Sequence, residues 1–313
     1  AGASFVDSFS VSSQETVPTG LAFNTDGTKM FVLGNSGDDV NEYTLTTGFD
    51  VSTASFVDSF SVSSQETFPT SLAFNTDGTK MFVTGASGDD INEYTLSTGF
   101  DVSTASFVDS FDISSQEINA TGLAFNTDGT KMFVAGVTGD DINEYTLTTG
   151  FDVSTASFVD SFDISGQETS PYDLAFNTDG TKMFLVGYEG KDVNEYTLTT
   201  GFDVSTASFV DSFSVSGQET GPTGLAFNTD GTKMFVTGTG GDDVNEYTLS
   251  TPFSLVNISG EHTGDVIDTN STSNYDTDID VETLTVTAVR LGSSEGSGTA
   301  GTVGSCLLYT SDA

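Results

Sequence analysis

The sequence predicts an all-β fold, a β-propeller built from four-stranded blades. A block of 51 residues runs five times through the chain with few changes, and each copy contains four short strand signals and no helical periodicity. Four antiparallel strands per period of roughly 40–50 residues are typical of a propeller blade. The same place in successive copies is marked by Phe5, Phe56, Phe107, Phe158 and Phe209.

The copies are expected to pack against one another, because one copy alone is too small to fold. The chain has 26 Phe, about five in each copy. A buried Phe contributes roughly 1.5–3 kcal/mol, whereas fixing the backbone of one residue costs about 1–2 kcal/mol. A single copy therefore gains too little from burial, and a stacked array is required.

The first two strands of a copy follow from alternation and from a turn. Residues 4–11 place Phe5, Phe9 and Val11 on one face, as a half-buried strand does. Residues 20–24 form a short second strand, and a tight turn at Asp26-Gly27 follows it, since Gly tolerates positive φ.

The remaining two strands lie on either side of a polar loop. Lys29 to Leu33 is the third strand and ends at Gly34, and Val40 to Leu45 is the fourth. A longer connection over residues 46–52 leads into the next copy.

The run Pro18-Thr19-Gly20-Leu21-Ala22-Phe23-Asn24-Thr25-Asp26-Gly27-Thr28-Lys29-Met30-Phe31-Val32 resembles the blade motif of YVTN-type propellers. The resemblance recurs five times over residues 4–249. It implies that residues 21–24 form the innermost strand A, 29–33 strand B, 40–45 strand C and 5–11 the outermost strand D. Such propellers include enzymes, binding modules and display scaffolds, so the motif predicts the fold rather than the activity.

The order of the strands leaves the ring either closed or open. The chain begins with a D strand, and its last complete strand is C at residues 244–249. In one interpretation residues 4–11 complete the fifth blade and close the ring. In the other, the five copies are an arc of a larger propeller. Closure is favoured because open strand edges promote aggregation.

The pattern changes after the repeats, which divides the chain at 1–253, 254–305 and 306–313. Residues 275–289 resemble the opening of cadherin-like or VCBS repeats of bacterial adhesins, which implies an Ig-like sandwich, here incomplete. The alternating acidic residues Asp276, Asp278, Asp280 and Glu282 share one strand face and suit Ca²⁺. Simple solvation of these carboxylates is the alternative.

The last eight residues, Cys306 to Ala313, match the translation of a transposase adapter used in sequencing libraries. We interpret them as an artefact on a metagenomic fragment, so the single Cys is not counted as part of the protein.

The composition excludes several classes of partner. A net charge of −39 repels phosphate backbones and anionic membrane surfaces, so neither nucleic-acid binding nor membrane insertion is expected. We expect a monomer, secreted or held at the cell surface.

Catalytic constellations are scarce, and the sequence predicts that the chain is not an enzyme. His262 is the only His and lies outside the repeats, so no Ser-His-Asp set can be assembled. The recurring acidic group Asp38, Asp39 and Glu42 is interpreted as a solvated loop, with peripheral Ca²⁺ binding as the alternative.

Differences between copies indicate a binding surface. They collect in the D–A and B–C loops, which lie on one rim of a propeller, whereas the A–B turn is identical in all five copies. The candidate ligand-binding residues on this rim are Phe68, Ile118, Val137, Tyr172, Asp173 and Tyr188.

The preferred function is an extracellular binding or display module of a large bacterial surface protein, recognising a glycan or a protein through this rim. Three alternatives stay open. The differences could reflect neutral drift, the chain could be a ligand-free spacer, or it could be a lactonase-like hydrolase with a metal in the central channel.

Overall fold

The five repeats form five four-stranded blades. The first strand, β1 (Ala3–Ser10), belongs to the sheet of the last repeat and not to that of the first. The computed structural model describes residues 2–256 and the backbone of 289–291 and 299–301. Blade 1 contains β2 (Pro18–Phe23), β3 (Lys29–Gly34), β4 (Asp39–Leu45) and β5 (Ala54–Ser61). Blade 2 contains β6 (Pro69–Phe74), β7 (Lys80–Gly85), β8 (Asp90–Leu96) and β9 (Ala105–Asp112).

The other blades repeat this order of strands. Blade 3 contains β10 (Ala120–Phe125), β11 (Lys131–Gly136), β12 (Asp141–Leu147) and β13 (Ala156–Asp163). Blade 4 contains β14 (Pro171–Phe176), β15 (Lys182–Gly187), β16 (Asp192–Leu198) and β17 (Ala207–Ser214). Blade 5 contains β18 (Pro222–Phe227), β19 (Lys233–Gly238) and β20 (Asp243–Leu249), with β1 as its outer strand.

The ring closes through the amino-terminal strand, as the favoured interpretation predicts. β1 pairs antiparallel with β20 and places Ser4 opposite Thr248 and Phe9 opposite Val244. The last blade is therefore built from both ends of the repeat region, and no blade in the described part lacks its fourth strand.

The apolar core lies between blades, as the energetic argument requires. In one cluster Phe31 and Leu33 of blade 1 are buried together with Met81 and Tyr94 of blade 2. The ring of Phe31 lies 4.5 Å from that of Phe74, centroid to centroid. Equivalent clusters join the other neighbouring blades, so each blade buries one face against the next blade and the other against the preceding one.

The outermost strand departs from the predicted alternation. A bulge between Phe5 and Asp7 inserts Val6 as an extra residue opposite β20. An inserted residue shifts the faces of a strand, so Phe5 is 44% exposed rather than sharing a buried face with Val11. Its ring still covers Tyr247 edge-on, with the centroids 5.9 Å apart.

The turn between β2 and β3 needs its glycine. Gly27 has a φ of +71°, and a Cβ at this position would lie 2.2 Å from the ring of Phe49. Phe49 belongs to the connection after β4, where a short 3₁₀ turn, η1 (Val51–Thr53), follows it. The sequence predicted a longer connection here but not this turn.

An ion pair in each blade reaches the next blade. The Nζ of Lys29 lies 2.6 Å from Oε1 of buried Glu42 and donates to the carbonyl of Phe100 at 2.5 Å. The other carboxylate oxygen of Glu42 accepts from the amide of Val102 at 3.0 Å. Phe100 and Val102 lie in the connection of blade 2 that corresponds to Phe49 and Val51 of blade 1. We call this arrangement the inter-blade clamp.

The clamp recurs five times and runs round the whole ring. The other pairs are Lys80–Glu93, Lys131–Glu144, Lys182–Glu195 and Lys233–Glu246. The last one returns to blade 1, because Lys233 donates to the carbonyl of Phe49 at 2.6 Å and Glu246 accepts from the amide of Val51 at 3.2 Å. Glu42 is thus a structural partner of Lys29 and not part of a solvated acidic loop with Asp38 and Asp39.

The remainder of the chain forms a separate unit, residues 258–313. Its described strands, β21 (Val289–Leu291) and β22 (Thr299–Gly301), pair antiparallel. The predicted sandwich opening, His262, the Ca²⁺ candidates Asp276, Asp278, Asp280 and Glu282, and residues 306–313 lie outside the described residues. Within the described part, no helix has the length and apolar character to cross a membrane.

Breaking one clamp should destabilise the protein, whereas removing a cation outside the clamps should not. Substituting Glu93→Gln leaves Lys80 without its charged partner and weakens the bond to Val153, so unfolding free energy should fall by about 2–3 kcal/mol. Lys191→Met is the matched control, because Lys191 makes no ion pair among the described residues, and it should change stability by about 0.5 kcal/mol or less. Urea unfolding measures both, and equal effects would contradict the role of the clamp.

Candidate binding rim

The D–A and B–C loops of each blade lie together, as the propeller prediction requires. In blade 1 the amide of Asn35, in the B–C loop, donates to the carbonyl of Val17 at 3.1 Å. The same bond joins Ala86 to Phe68 and Tyr188 to Ser170, each at 3.1 Å. The residues that differ between copies therefore share one rim of the ring, which we call the variable rim.

A buried glutamate holds these loops in every copy. Glu15 accepts from the amide of Val17 at 2.6 Å, and from Ser36 in the B–C loop at 3.1 Å. Equivalent glutamates at positions 66, 117, 168 and 219 are buried in the same way. Because the partners are backbone amides, the loop conformation does not depend on the side chains that the loop carries.

Two of the predicted residues form the walls of a groove. Phe68 and Ile118 are 47% and 53% exposed, and both line a cavity of about 530 Å³ on the rim between blades 2 and 3. The cavity is lined by Phe68, Ala86, Ser87, Ile118, Asn119 and Thr138. We call it the rim groove. Val137 precedes Thr138 but is half-buried and does not line it.

Tyr172 and Tyr188 meet at another place on the rim. Their ring centroids are 5.4 Å apart, with the planes tilted by 35°, and both belong to blade 4. Tyr188 is 37% exposed, and Tyr172 is half-buried beneath it. The structure therefore divides the predicted rim residues between two locations, the rim groove and this tyrosine pair.

Asp173 is buried, whereas a residue that contacts a ligand on the rim must be exposed. Its side chain turns towards the central axis and is 3% exposed. Its carboxylate accepts from the amide of Leu225 at 2.9 Å, from the amide of Leu174 at 3.0 Å and from the hydroxyl of Ser71 at 3.0 Å. Asp173 thus links strands of blades 2, 4 and 5 at the centre of the ring.

The axis has room for one such side chain. Ser71 and Asp173 occupy equivalent positions in their copies, and the other three positions are Gly20, Gly122 and Gly224. A Cβ on Gly122 would lie 2.9 Å from the Cα of Asp173. Three of the five copies have glycine at this position, which indicates a site with little room for a side chain. This pattern in the sequence could have predicted that Asp173 lies at the axis.

Burial raises the pKa of Asp173 to about 8, although the bonds from Leu225, Leu174 and Ser71 favour the charged form. Desolvation is the larger effect because the carboxyl lies entirely inside the ring. Asp173 is consequently a group that titrates near neutral pH in the folded protein.

The donor set does not fit the channel metal that a lactonase-like hydrolase requires. Among residues 2–256, no three His, Cys, Asp or Glu side chains gather where they could hold a metal ion. At the axis one carboxylate, from Asp173, and one hydroxyl, from Ser71, face each other and are already hydrogen-bonded. Ca²⁺ prefers six to eight oxygen ligands, which this carboxylate and hydroxyl do not supply.

Comparison with solved structures finds propellers of low sequence identity. A luciferin-regenerating enzyme aligns at 13% identity with a TM-score of 0.48, over 78% of this chain and 95% of its own. A provisional 6-phosphogluconolactonase from Bacteroides uniformis aligns at 14% identity with a TM-score of 0.44, over 70% and 63%. The periplasmic gluconolactonase of Pseudomonas aeruginosa aligns at 15% identity with a TM-score of 0.41, over 63% and 54%.

These names correct the prediction that the chain is not an enzyme, because propellers similar to it are named for enzymatic activities. The chain spans less than two thirds of the Bacteroides protein and of the gluconolactonase. At these identities and TM-scores, no substrate or residue role is transferred. No protein-family model and no curated protein matches the sequence.

The axial carboxyl predicts a pH dependence of stability. The pKa of Asp173 is about 8 in the folded protein, well above the ordinary aspartate value of 3.8, so its contribution to stability is complete below about pH 4 and is lost as the pH rises towards 8. Between pH 5 and 7 the free energy of unfolding should fall by about 1.4 kcal/mol per pH unit, and the slope should weaken by about half at pH 8.

Asp173→Asn should remove this slope, as measured by urea unfolding across that pH range. Asp58→Asn, at an exposed site on the outer strand β5, should keep it. An unchanged slope in Asp173→Asn would show that the carboxyl is ionised throughout.

Proposed function

We propose that the propeller is a ligand-binding domain that takes a neutral carbohydrate in the rim groove. The observation that carries this proposal is a coincidence of three properties at one place. The groove is concave, its walls Phe68 and Ile118 are exposed apolar side chains, and both differ from the residues of the other copies.

The groove has the size and lining that a small ligand needs. Its volume of about 530 Å³ falls within the range of roughly 300–1,000 Å³ typical of ligand sites. Phe68 and Ile118 can cover the apolar face of a sugar ring, while Ser87, Asn119 and Thr138 offer hydroxyl and amide groups. Apolar walls with a few polar groups match a polyhydroxylated ring.

Charge selects against acidic ligands. The net charge of −39 repels phosphates and carboxylates, and no basic residue lines the groove. Neutral sugars and neutral sugar lactones are favoured over their phosphorylated forms. If the ligand is a sugar lactone, the groove could also serve the second candidate function, which is lactone hydrolysis.

The setting of the domain is proposed from motifs alone. The repeated run from Pro18 to Val32 supports a YVTN-type propeller, and the acidic alternation after Tyr275 supports a cadherin-like stalk that binds Ca²⁺. The cadherin-like resemblance is to repeats of bacterial adhesins, which supports a secreted or cell-surface location. The change of pattern after the repeats supports domain limits at 1–253 and 254–305.

Consensus substitutions test the groove without disturbing the fold. Ile118→Thr installs the residue of the other four copies, and Phe68→Ser installs the residue of blade 4. The double variant should fold as stably as the wild type but lose tenfold or more in affinity for neutral oligosaccharides at this site, because both apolar walls are removed. Isothermal calorimetry on a panel that includes gluconolactone measures the affinity.

Val137→Ala is the matched control, because Val137 lies on the same rim but outside the groove, and it should keep wild-type affinity. Turnover of gluconolactone during the titration would assign the hydrolase function. Unchanged sugar binding in the double variant, or binding of a protein partner alone, would reject carbohydrate as the ligand of the groove.

A further inference from the structure

Blade 4 differs from the other blades at several neighbouring rim positions. Tyr172 stands where the other copies have Thr19, Thr70, Thr121 and Thr223. In the B–C loop of the same blade, Tyr188, Glu189 and Lys191 replace smaller or acidic residues, with Lys191 in place of an Asp in all four other copies. The changes thus concentrate around one pair of aromatic rings.

The tyrosine at position 172 removes a bond that blades 1 and 5 keep. Thr19 donates to the carbonyl of Pro69 at 2.9 Å, and Thr223 donates to that of Pro18 at 2.7 Å, each in the next blade. Among the described bonds, none joins Tyr172 to Pro222 in this way. Within the described part of the chain, blade 3 also lacks this bond, because Thr121 donates to the carbonyl of Ala135 in its own blade at 3.2 Å. Blade 4 differs from all the others in placing an aromatic ring here, which packs against Tyr188.

Blade 5 is adapted to the same pair. Gly221 occupies a position where the other copies carry Val17, Phe68, Asn119 and Ser170. A Cβ on Gly221 would lie 3.0 Å from Cε2 of Tyr188. The same Cβ would lie 2.7 Å from Oγ1 of Thr239, so glycine at this position leaves space for both the Thr239 hydroxyl and the Tyr188 ring at the boundary between blades 4 and 5.

We propose that Tyr172 and Tyr188 form a second carbohydrate site, a stacking platform for a neutral pyranose ring. Tyr188 is 37% exposed and packs against Tyr172, with the ring planes tilted by 35°, so stacking a ligand on it orders few side-chain torsions. Glu189 and Lys191 follow in the same loop and supply an acceptor and a donor for sugar hydroxyls.

Charge again selects a neutral sugar, because the field of the whole chain opposes anions. The inference rests on the proposed ligand class but not on the rim groove, which lies between a different pair of blades.

Tyrosine emission can report on this site, because the chain has no Trp and nine Tyr. The five at positions 43, 94, 145, 196 and 247 are fully buried. Tyr275 and Tyr309 lie outside the described residues, so the double tyrosine variant below is what assigns an emission change to Tyr172 and Tyr188. Cellohexaose and mannohexaose should change the emission of the wild-type protein in a saturable way. Tyr172→Thr with Tyr188→Thr, both residues taken from other copies, should abolish this change and remove one of two calorimetric binding events.

The groove variant Phe68→Ser with Ile118→Thr should keep the emission change and lose only the other event. Emission that stays constant at saturating sugar, an emission change that persists in the tyrosine variant, or its loss in the groove variant would each overturn the second site. Tighter binding of hexagalacturonic acid than of the neutral sugars would overturn the ligand class. If the groove variant binds like the wild type while the tyrosine variant does not, the proposed groove fails and the platform stands.

Discussion

Each blade completes the hydrogen bonds of its ion pair only by contacting the next blade, and the rest of the ring depends on this contact. Lys29 and Glu42 sit on neighbouring strands of blade 1, but their remaining hydrogen bonds go to Phe100 and Val102 of blade 2. Five of the seven basic residues of the chain are used in this way. A strongly acidic protein thus places most of its positive charge at the joints between units that cannot fold alone.

A constant frame and a variable rim follow from different kinds of contact. The clamps depend on particular side chains, so Lys29 and Glu42 recur in every copy. The axis has little space, so it holds one large residue, Asp173, beside Ser71 and three glycines. On the rim, Glu15 and its equivalents bind backbone amides, which every residue provides. The loops keep their conformation while their side chains change, and this allows one ring to carry an apolar groove and an aromatic pair.

The sequence predicted what a single copy encodes. Strand order, the glycine turn and the location of differences on one rim follow from alternation and from comparison of copies, and the structure confirms them. Contacts between copies could not be predicted from the sequence, because near-identical repeats do not indicate that Lys29 reaches a residue 71 positions away. Glu42 was consequently assigned to an acidic loop, and Asp173 to the rim. The bulge at Val6 was missed because alternation shows the period of a strand but not an inserted residue.

Closure of the ring within one chain is the claim on which the fifth clamp and the rim depend, and a disulfide tests it most directly. Ser4 and Thr248 are exposed partners on β1 and β20, and paired residues of antiparallel strands lie within the Cα distance a disulfide allows. In a Ser4→Cys, Thr248→Cys, Cys306→Ser variant, mild oxidation should produce an intramolecular disulfide in a monomer and raise the unfolding midpoint. Free thiols, or disulfides that link only separate chains, would show that the ring is open.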